Sequence, residues 1–255
     1  LEIRKQVNSH PLISKYFRVL NNAEMIPAEY RESSLADFND PSATWTDAVK
    51  AVRDDEFLLD PTRMTLTCGE AGFDGTTFKN ILADRFNIQV NKTSRNSILL
   101  QSNINNSRSD VALLVRVLLE IAQDIEDGLK AGGEDRSKSF AEKVRMLVDD
   151  VPDLPNFSHF DSQYRLDPKA ATLNGNIRGA FYDAYKKEEC EYIALHSADV
   201  DERLEKGPAL VSANFVIPYP PGFPIMVPGQ VITHEIIEFM RKLDVKEIHG
   251  YNGAR

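Results

Sequence analysis

Residues 218–230 read Pro-Tyr-Pro-Pro-Gly-Phe-Pro-Ile-Met-Val-Pro-Gly-Gln, so five prolines and two glycines fall within thirteen residues. Proline fixes φ and removes a backbone donor, which excludes a helix interior or a central strand here. Val216, Ile217, Ile225, Met226 and Val227 are too apolar for a solvated linker. The segment is therefore predicted to be a rigid, extended, largely buried connector. A polyproline ligand for an adaptor domain is the rival. Such ligands sit in polar, disordered surroundings, whereas this one has a strand-like run before it and a helical pattern after it.

The chain has 255 residues, 42% of them hydrophobic, enough for a core in one large or two modest domains. Its net charge is −9 with no lysine/arginine cluster, which argues against nucleic acid or anionic membranes as partners. Apolar runs are too short for a membrane-spanning helix. The opening Leu-Glu-Ile-Arg-Lys-Gln is not a signal peptide and lacks an initiator Met, so a piece of a longer cytoplasmic polypeptide is expected. Cys68 and Cys190 are the two cysteines, which fits a reducing compartment and leaves a single bridge open.

Periodicity divides the chain further. A helix in residues 1–20 is expected to break at His10-Pro11, and residues 21–43 read as a polar connector. Thr44 or a residue near it caps a short amphipathic helix. Met64–Thr67 is a strand, and Phe78, Ile81, Leu82 and Phe86 share a helical face capped at Thr76 or Thr77. Strands follow at Ile88–Val90 and Ser97–Gln101. The clearest helix is capped at Ser107 or Ser109 and carries Val111, Leu114, Val115, Leu118, Ala122, Ile125 and Leu129 as its stripe. Residues 130–139 are linker-like, which places a domain boundary at 132/133. Beyond it come helices at 140–148, 177–185 and 232–243, with strands at 190–195 and 209–217. Strand, helix, strand, strand, helix predicts an α+β layer with helices on one sheet face.

Chemistry-bearing motifs are few. His234-Glu235-Ile236-Ile237-Glu238 has the outline of a zinc-protease helix with the second histidine replaced, and reads as a helix start with a polar face, so no metal is expected. Cys68 at a strand end reads as a small buried apolar residue. Asp54-Asp55 and Asp149-Asp150 read as solvated charge. Asn91-Lys92-Thr93-Ser94-Arg95 is the candidate functional surface, a cation-bearing turn between apolar strands. Arginine pairs bidentately with carboxylates, and lysine, threonine and serine donate to anions. An ordinary solvated hairpin is the alternative.

Three segments resemble the bacterial ornithine/lysine/arginine decarboxylases, pyridoxal-phosphate enzymes of the aspartate-aminotransferase fold type. They are Tyr-Pro-Pro-Gly-x-Pro-x-x-x-Pro-Gly at 219–229, Leu59-Asp60-Pro61-Thr62-Arg63-Met64-Thr65-Leu66-Thr67, and Ile88-Gln89-Val90-Asn91-Lys92-Thr93-Ser94. The resemblance implies an aminotransferase-like small domain over 1–132, a mixed sheet with helices on one face, and an α+β C-terminal domain over 133–255. It also implies pyridoxal phosphate in the full-length protein, bound through a lysine in a large N-terminal domain of the same polypeptide. No segment of this chain matches that lysine's Ser-x-His context, so the chain alone is expected to be inactive. Its substrate would be arginine, lysine or ornithine, its assembly a homodimer or larger homo-oligomer, and Asn91–Arg95 the part nearest substrate. The family carries glutamate where Asn91 and Gln230 stand, and "GIP" in place of Gly75-Thr76-Thr77, which leaves the substrate open. A non-catalytic scaffold that keeps the fold is the alternative. An aminotransferase is disfavoured by the proline signature.

Overall fold

The computed structural model describes residues 1–38, 44–150, 153–157, 159–166, 175–186, 188, 190–219, 224–242 and 247–249. It forms two compact units, Leu1–Val151 and Pro152–Arg255. Among the described residues no helix is long and apolar enough to cross a membrane.

The first unit opens with α1 (Glu2–Ser9), which stops where Pro11 follows, and a 3₁₀ turn at Ile13–Lys15. β1 (Arg18–Val19), α2 (Asn22–Met25) and α3 (Trp45–Asp54) come next. Two capping boxes set the helix starts: Asn21 with Glu24 for α2, and Thr44 with Asp47 for α3. β2 (Arg63–Thr67), α4 (Gly75–Phe86), β3 (Lys92–Thr93), β4 (Ser97–Gln101) and α5 (Arg108–Val148) complete the unit.

The sheet runs β1-β2-β4-β3. Every pairing is antiparallel, so the expected mixed sheet is not found among the described strands. Met64 opposes Leu100 and Leu66 opposes Ile98, and all four are buried. The intervening Thr65 and Leu99 point to the other face, as strand alternation requires. Onto the buried face pack Val7 of α1, Phe78 and Leu82 of α4, and Leu114, Val117, Leu118 and Ile121 of α5.

Two sequence expectations shift here. Ile88–Val90 is not a strand: Asn87 closes α4 in the left-handed region at φ 55°, and pairing resumes only at Lys92. α4 is capped by Asp74, whose carboxylate accepts from the Thr77 amide at 2.9 Å, rather than by a threonine.

The position 132/133, expected as a boundary, falls within α5. Gly133 has φ 65° and ψ −157°, so α5 is two helical arms joined at a kink. Tyr16 touches both arms: its hydroxyl donates to Glu126 at 3.1 Å and its ring meets Phe140 edge-on at 6.5 Å. The arm after Gly133 thus packs on the first unit, and the units divide after Val151.

The second unit holds α6 (Ile177–Asp183), α7 (Ala198–Lys206), β5 (Leu210–Val211), β6 (Ile217–Tyr219), β7 (Val231–Ile232), α8 (His234–Lys242) and β8 (Glu247–His249). β5 pairs with β7 and β6 with β8, both antiparallel. The expected strand at 190–195 is absent, and α7 follows it instead. The expected strand at 209–217 is split between β5 and β6. Leu195, Val200 and Ile237 form the core, with Ile193, Leu204, Leu210, Ile232 and Met240 against it. Arg241 on α8 grips Asp201 on α7 with two bonds of 3.0 Å and donates to the Leu195 carbonyl at 2.9 Å, which locks the two helices together.

The proline segment departs from an extended connector. Val216 and Met226 form an antiparallel bridge, with Val216 N donating to Met226 O at 3.0 Å and Ile225 N to Val216 O at 2.9 Å. The chain therefore turns back on itself. Residues 220–223 lie outside the described residues. The return limb is buried at Met226, Pro228 and Gly229, in line with its apolar sequence.

Candidate functional site

The candidate residues sit on the β3–β4 hairpin. Asn91 N donates to Leu99 O at 2.9 Å, and Ser94 N donates to Ser97 O at 2.8 Å to close the turn at Arg95-Asn96. Lys92 opposes Leu99 and Thr93 opposes Ile98. Asn91, Lys92 and Ser94 are exposed, and Thr93 and Arg95 are half-buried.

The turn is held from two directions. On one side the start of α4 presents Gly75 N, which donates to Ser94 O at 3.1 Å and Arg95 O at 3.2 Å. A Cβ on Gly75 would lie 2.2 Å from Ser94 O, so only glycine allows this approach. Beside it, Cys68 N and Gly69 N both donate to Asn96 O, at 2.8 and 3.1 Å. On the other side the end of α5 is capped by the turn's side chains. Arg95 donates to Met146 O at 2.7 Å and Asp150 O at 3.1 Å, and Asn96 Nδ2 donates to Leu147 O at 3.2 Å. A cation at a helix C-terminus satisfies orphan carbonyls and opposes the dipole's negative end.

The five candidates thus divide. Arg95 is engaged in holding α5, while Asn91 to Ser94 line the outer edge of the hairpin. Asn91 Nδ2 also donates to Gln101 Oε1 at 3.1 Å, a cross-strand amide pair that period-2 reading of β4 alone does not reveal. Gln101 lines an open groove of about 940 Å³ together with Gln89, Asn103, Asn106, Ser107 and Met64. The sequence reading did not single out these amides. Their signal is compositional: polar side chains concentrate at the ends of β2 and β4 and at the α5 cap.

The nearby titratable groups are structural. Burial pushes the Cys68 thiol up to about 12, helped by the Asp74 charge, so it stays protonated and is no nucleophile at neutral pH. Burial also opposes ionisation of Asp74, but hydrogen bonds from the Thr77 side chain and the Thr77 and Thr76 amides outweigh it and hold its carboxyl below the usual range. Asp54 and Asp55 are not merely solvated: Asp54 pairs with Arg53, and Asp55 accepts from Ser33 N and Oγ at 2.6 Å each. In the second unit His234 is exposed and Glu238 pairs with Arg241 at 3.0 Å. Gln230, at the end of the proline segment, is nearly buried. It accepts from Val227 N at 2.8 Å and donates to Phe157 O.

Comparison with known proteins adds a second line. Residues 178–249, which include the proline segment, match the family model "Orn/Lys/Arg decarboxylase, C-terminal domain". An arginine decarboxylase of Bacillus subtilis is 28% identical over 186 residues, covering 73% of this chain and 29% of that protein. An inducible lysine decarboxylase of Escherichia coli is 25% identical over 228 residues, covering 79% and 29%. The solved structure of the E. coli constitutive lysine decarboxylase aligns at a TM-score of 0.47 and 19% identity, covering 97% of this chain and 37% of that one. The chain thus spans 29% of the length of the two curated relatives. By family model and by relatives alike, it is related to the C-terminal region of the ornithine/lysine/arginine decarboxylases.

Proposed function

We propose that this chain is the C-terminal part of a cytoplasmic pyridoxal-phosphate-dependent decarboxylase of arginine, lysine or ornithine, inactive without the large domain that carries the Schiff-base lysine. The observation that carries the reading is the family-model match over 178–249, joined to relatives named arginine and lysine decarboxylase. When bound in the longer protein, the cofactor's ring supplies the electron sink for loss of the carboxylate. No lysine of this chain stands in the required Ser-x-His context, so no chemical step is assigned to its residues. The first unit is proposed to be an aminotransferase-like small domain, and the assembly a homodimer or larger homo-oligomer.

The chain's own contribution in this reading is positional. The hairpin edge from Asn91 to Ser94 is nearest substrate, and Arg95 fixes the hairpin by its grip on α5. Asn91 offers a neutral amide where the family's glutamate would offer a charge, which changes how a cationic side chain is met.

The test is carbon dioxide release by the longer polypeptide with pyridoxal phosphate on arginine, lysine and ornithine. Release from one of them names the substrate. A folded, cofactor-loaded protein that releases none overturns the reading and favours a scaffold that keeps the fold without the chemistry.

A further inference from the structure

The two arms of α5 enclose a crevice of about 180 Å³ against the loop 71–73. Ile125 and Leu129, four residues apart, supply one wall. Arg136, Phe140 and Lys143 fall at i, i+4 and i+7, so one face of the second arm presents cation, ring, cation. Gly72, at φ 73°, forms the floor, and a Cβ there would lie 2.9 Å from the Phe140 ring.

The two cations have no carboxylate partner among the described residues. Along the same helix Lys130 pairs with Asp127, Lys138 with Glu134, and Arg145 with Glu142. Arg136 and Lys143 make no ion pair or hydrogen bond among the described residues. Lys143 Nζ lies 5.8 Å from the Phe73 ring centroid, and Arg136 lies along Gly128 and Gly132, where any Cβ would collide with it. Glu126 on the first arm is turned to Lys15 and Tyr16. In a protein of net charge −9, two unpaired cations thus flank an apolar crevice that no carboxylate of its own fills.

We propose that this crevice binds a compact monocarboxylate, its apolar body between Leu129 and Phe140 and its carboxylate between Arg136 and Lys143. The volume is smaller than the roughly 300–1,000 Å³ typical of drug-sized ligands, which restricts the body to one ring or a short branched chain. Guanidinium and ammonium donors make charge-assisted bonds to a carboxylate, and the apolar walls exclude a bare inorganic anion. The inference is independent of the decarboxylase reading.

The test is titration of the chain with benzoate, benzyl alcohol and inorganic phosphate, followed by the methyl resonances of Ile125 and Leu129. Benzoate is expected to shift them saturably, with both other probes at least roughly tenfold weaker. Arg136→Gln with Lys143→Gln is expected to weaken benzoate by a similar factor while leaving the melting temperature unchanged, since neither side chain holds the fold. Benzyl alcohol binding as well as benzoate, phosphate binding as well as benzoate, or no saturable shift at these methyls would each overturn the proposal.

Discussion

The Arg95 guanidinium donates to the main-chain oxygen of Met146 at 2.7 Å, and this bond ties the β3–β4 turn to the end of α5. The same group reaches Asp150 O at 3.1 Å. Arg95→Ala is expected to destabilise the first unit by about 1–3 kcal/mol, because the last carbonyls of α5 lose a charged donor. Arg95→Lys, with one point charge in place of a fork, recovers part of that. Urea unfolding checks both, and an unchanged midpoint for the alanine variant would refute the capping role.

Gly75 and Gly133 test two different reasons for glycine. A Cβ at Gly75 meets Ser94 O at 2.2 Å and Ser97 O at 2.4 Å, both main-chain atoms that cannot swing aside. A Cβ at Gly133 meets nothing within 4 Å, yet the residue sits at φ 65°. Alanine at either position is expected to cost about 1–3 kcal/mol, by overlap in the first case and backbone strain in the second. Hydrogen exchange separates them: only the Gly75→Ala protein should lose protection at the Ser94 amide.

Gln230 uses both ends of its amide, accepting from Val227 N and donating to Phe157 O. Gln230→Glu sets a carboxylate oxygen against the Phe157 carbonyl. The cost is expected to be about 1–3 kcal/mol at neutral pH. The charged form is disfavoured in the folded state, so the glutamate's pKa rises there and the cost shrinks as pH falls through it. Thermal melts from pH 7 down to 4 check this: a deficit that does not shrink relative to the parent would exclude the proposed contact.

Alkaline pH should weaken the first unit. Burial, with Glu126 as hydrogen-bond acceptor, raises Tyr16 from 10.0 to about 12, and burial raises Cys68 from 9.0 to about 12. In both cases the folded state holds the proton more tightly, so the stability involved is complete below the unfolded value and is lost as pH rises through the folded one. The loss should run from about pH 9 to 12. Tyr16→Phe removes only the contribution between about pH 10 and 12 that Tyr16 makes, leaving the Cys68 contribution from about pH 9 to 12, as melts across this range would show.

Legibility followed the strength of local signals. Thr44 followed by Asp47, and Ser107 followed by Asp110, are short-range caps: the structure has the first at the expected Thr44 and decides the second for Ser107 over Ser109. The alternation in β2 and β4 was likewise readable, because burial of Met64, Leu66, Ile98 and Leu100 on one face needs only the period of a strand. α7 was not readable, since Val200 and Leu204 are the only large apolar residues among its nine and leave almost no stripe. The candidate residues lie on one hairpin, but Lys92 and Thr93 are strand residues rather than turn residues, and the partner that takes up Arg95 lies 51 residues away at Met146.

The sequence by itself determined the helices with full caps, the buried faces of β2 and β4, and the family resemblance in the proline segment. Each rests on residues within a few positions of one another, where covalent geometry restricts the choices. Only the tertiary structure decided that Gly133 is a kink between two helical arms, that Val216 returns to Met226, and that Arg95 caps a helix. Those outcomes depend on which distant backbone groups are left unpaired when the elements pack, and an unpaired carbonyl or a returning aromatic leaves no local mark on the chain that will meet it.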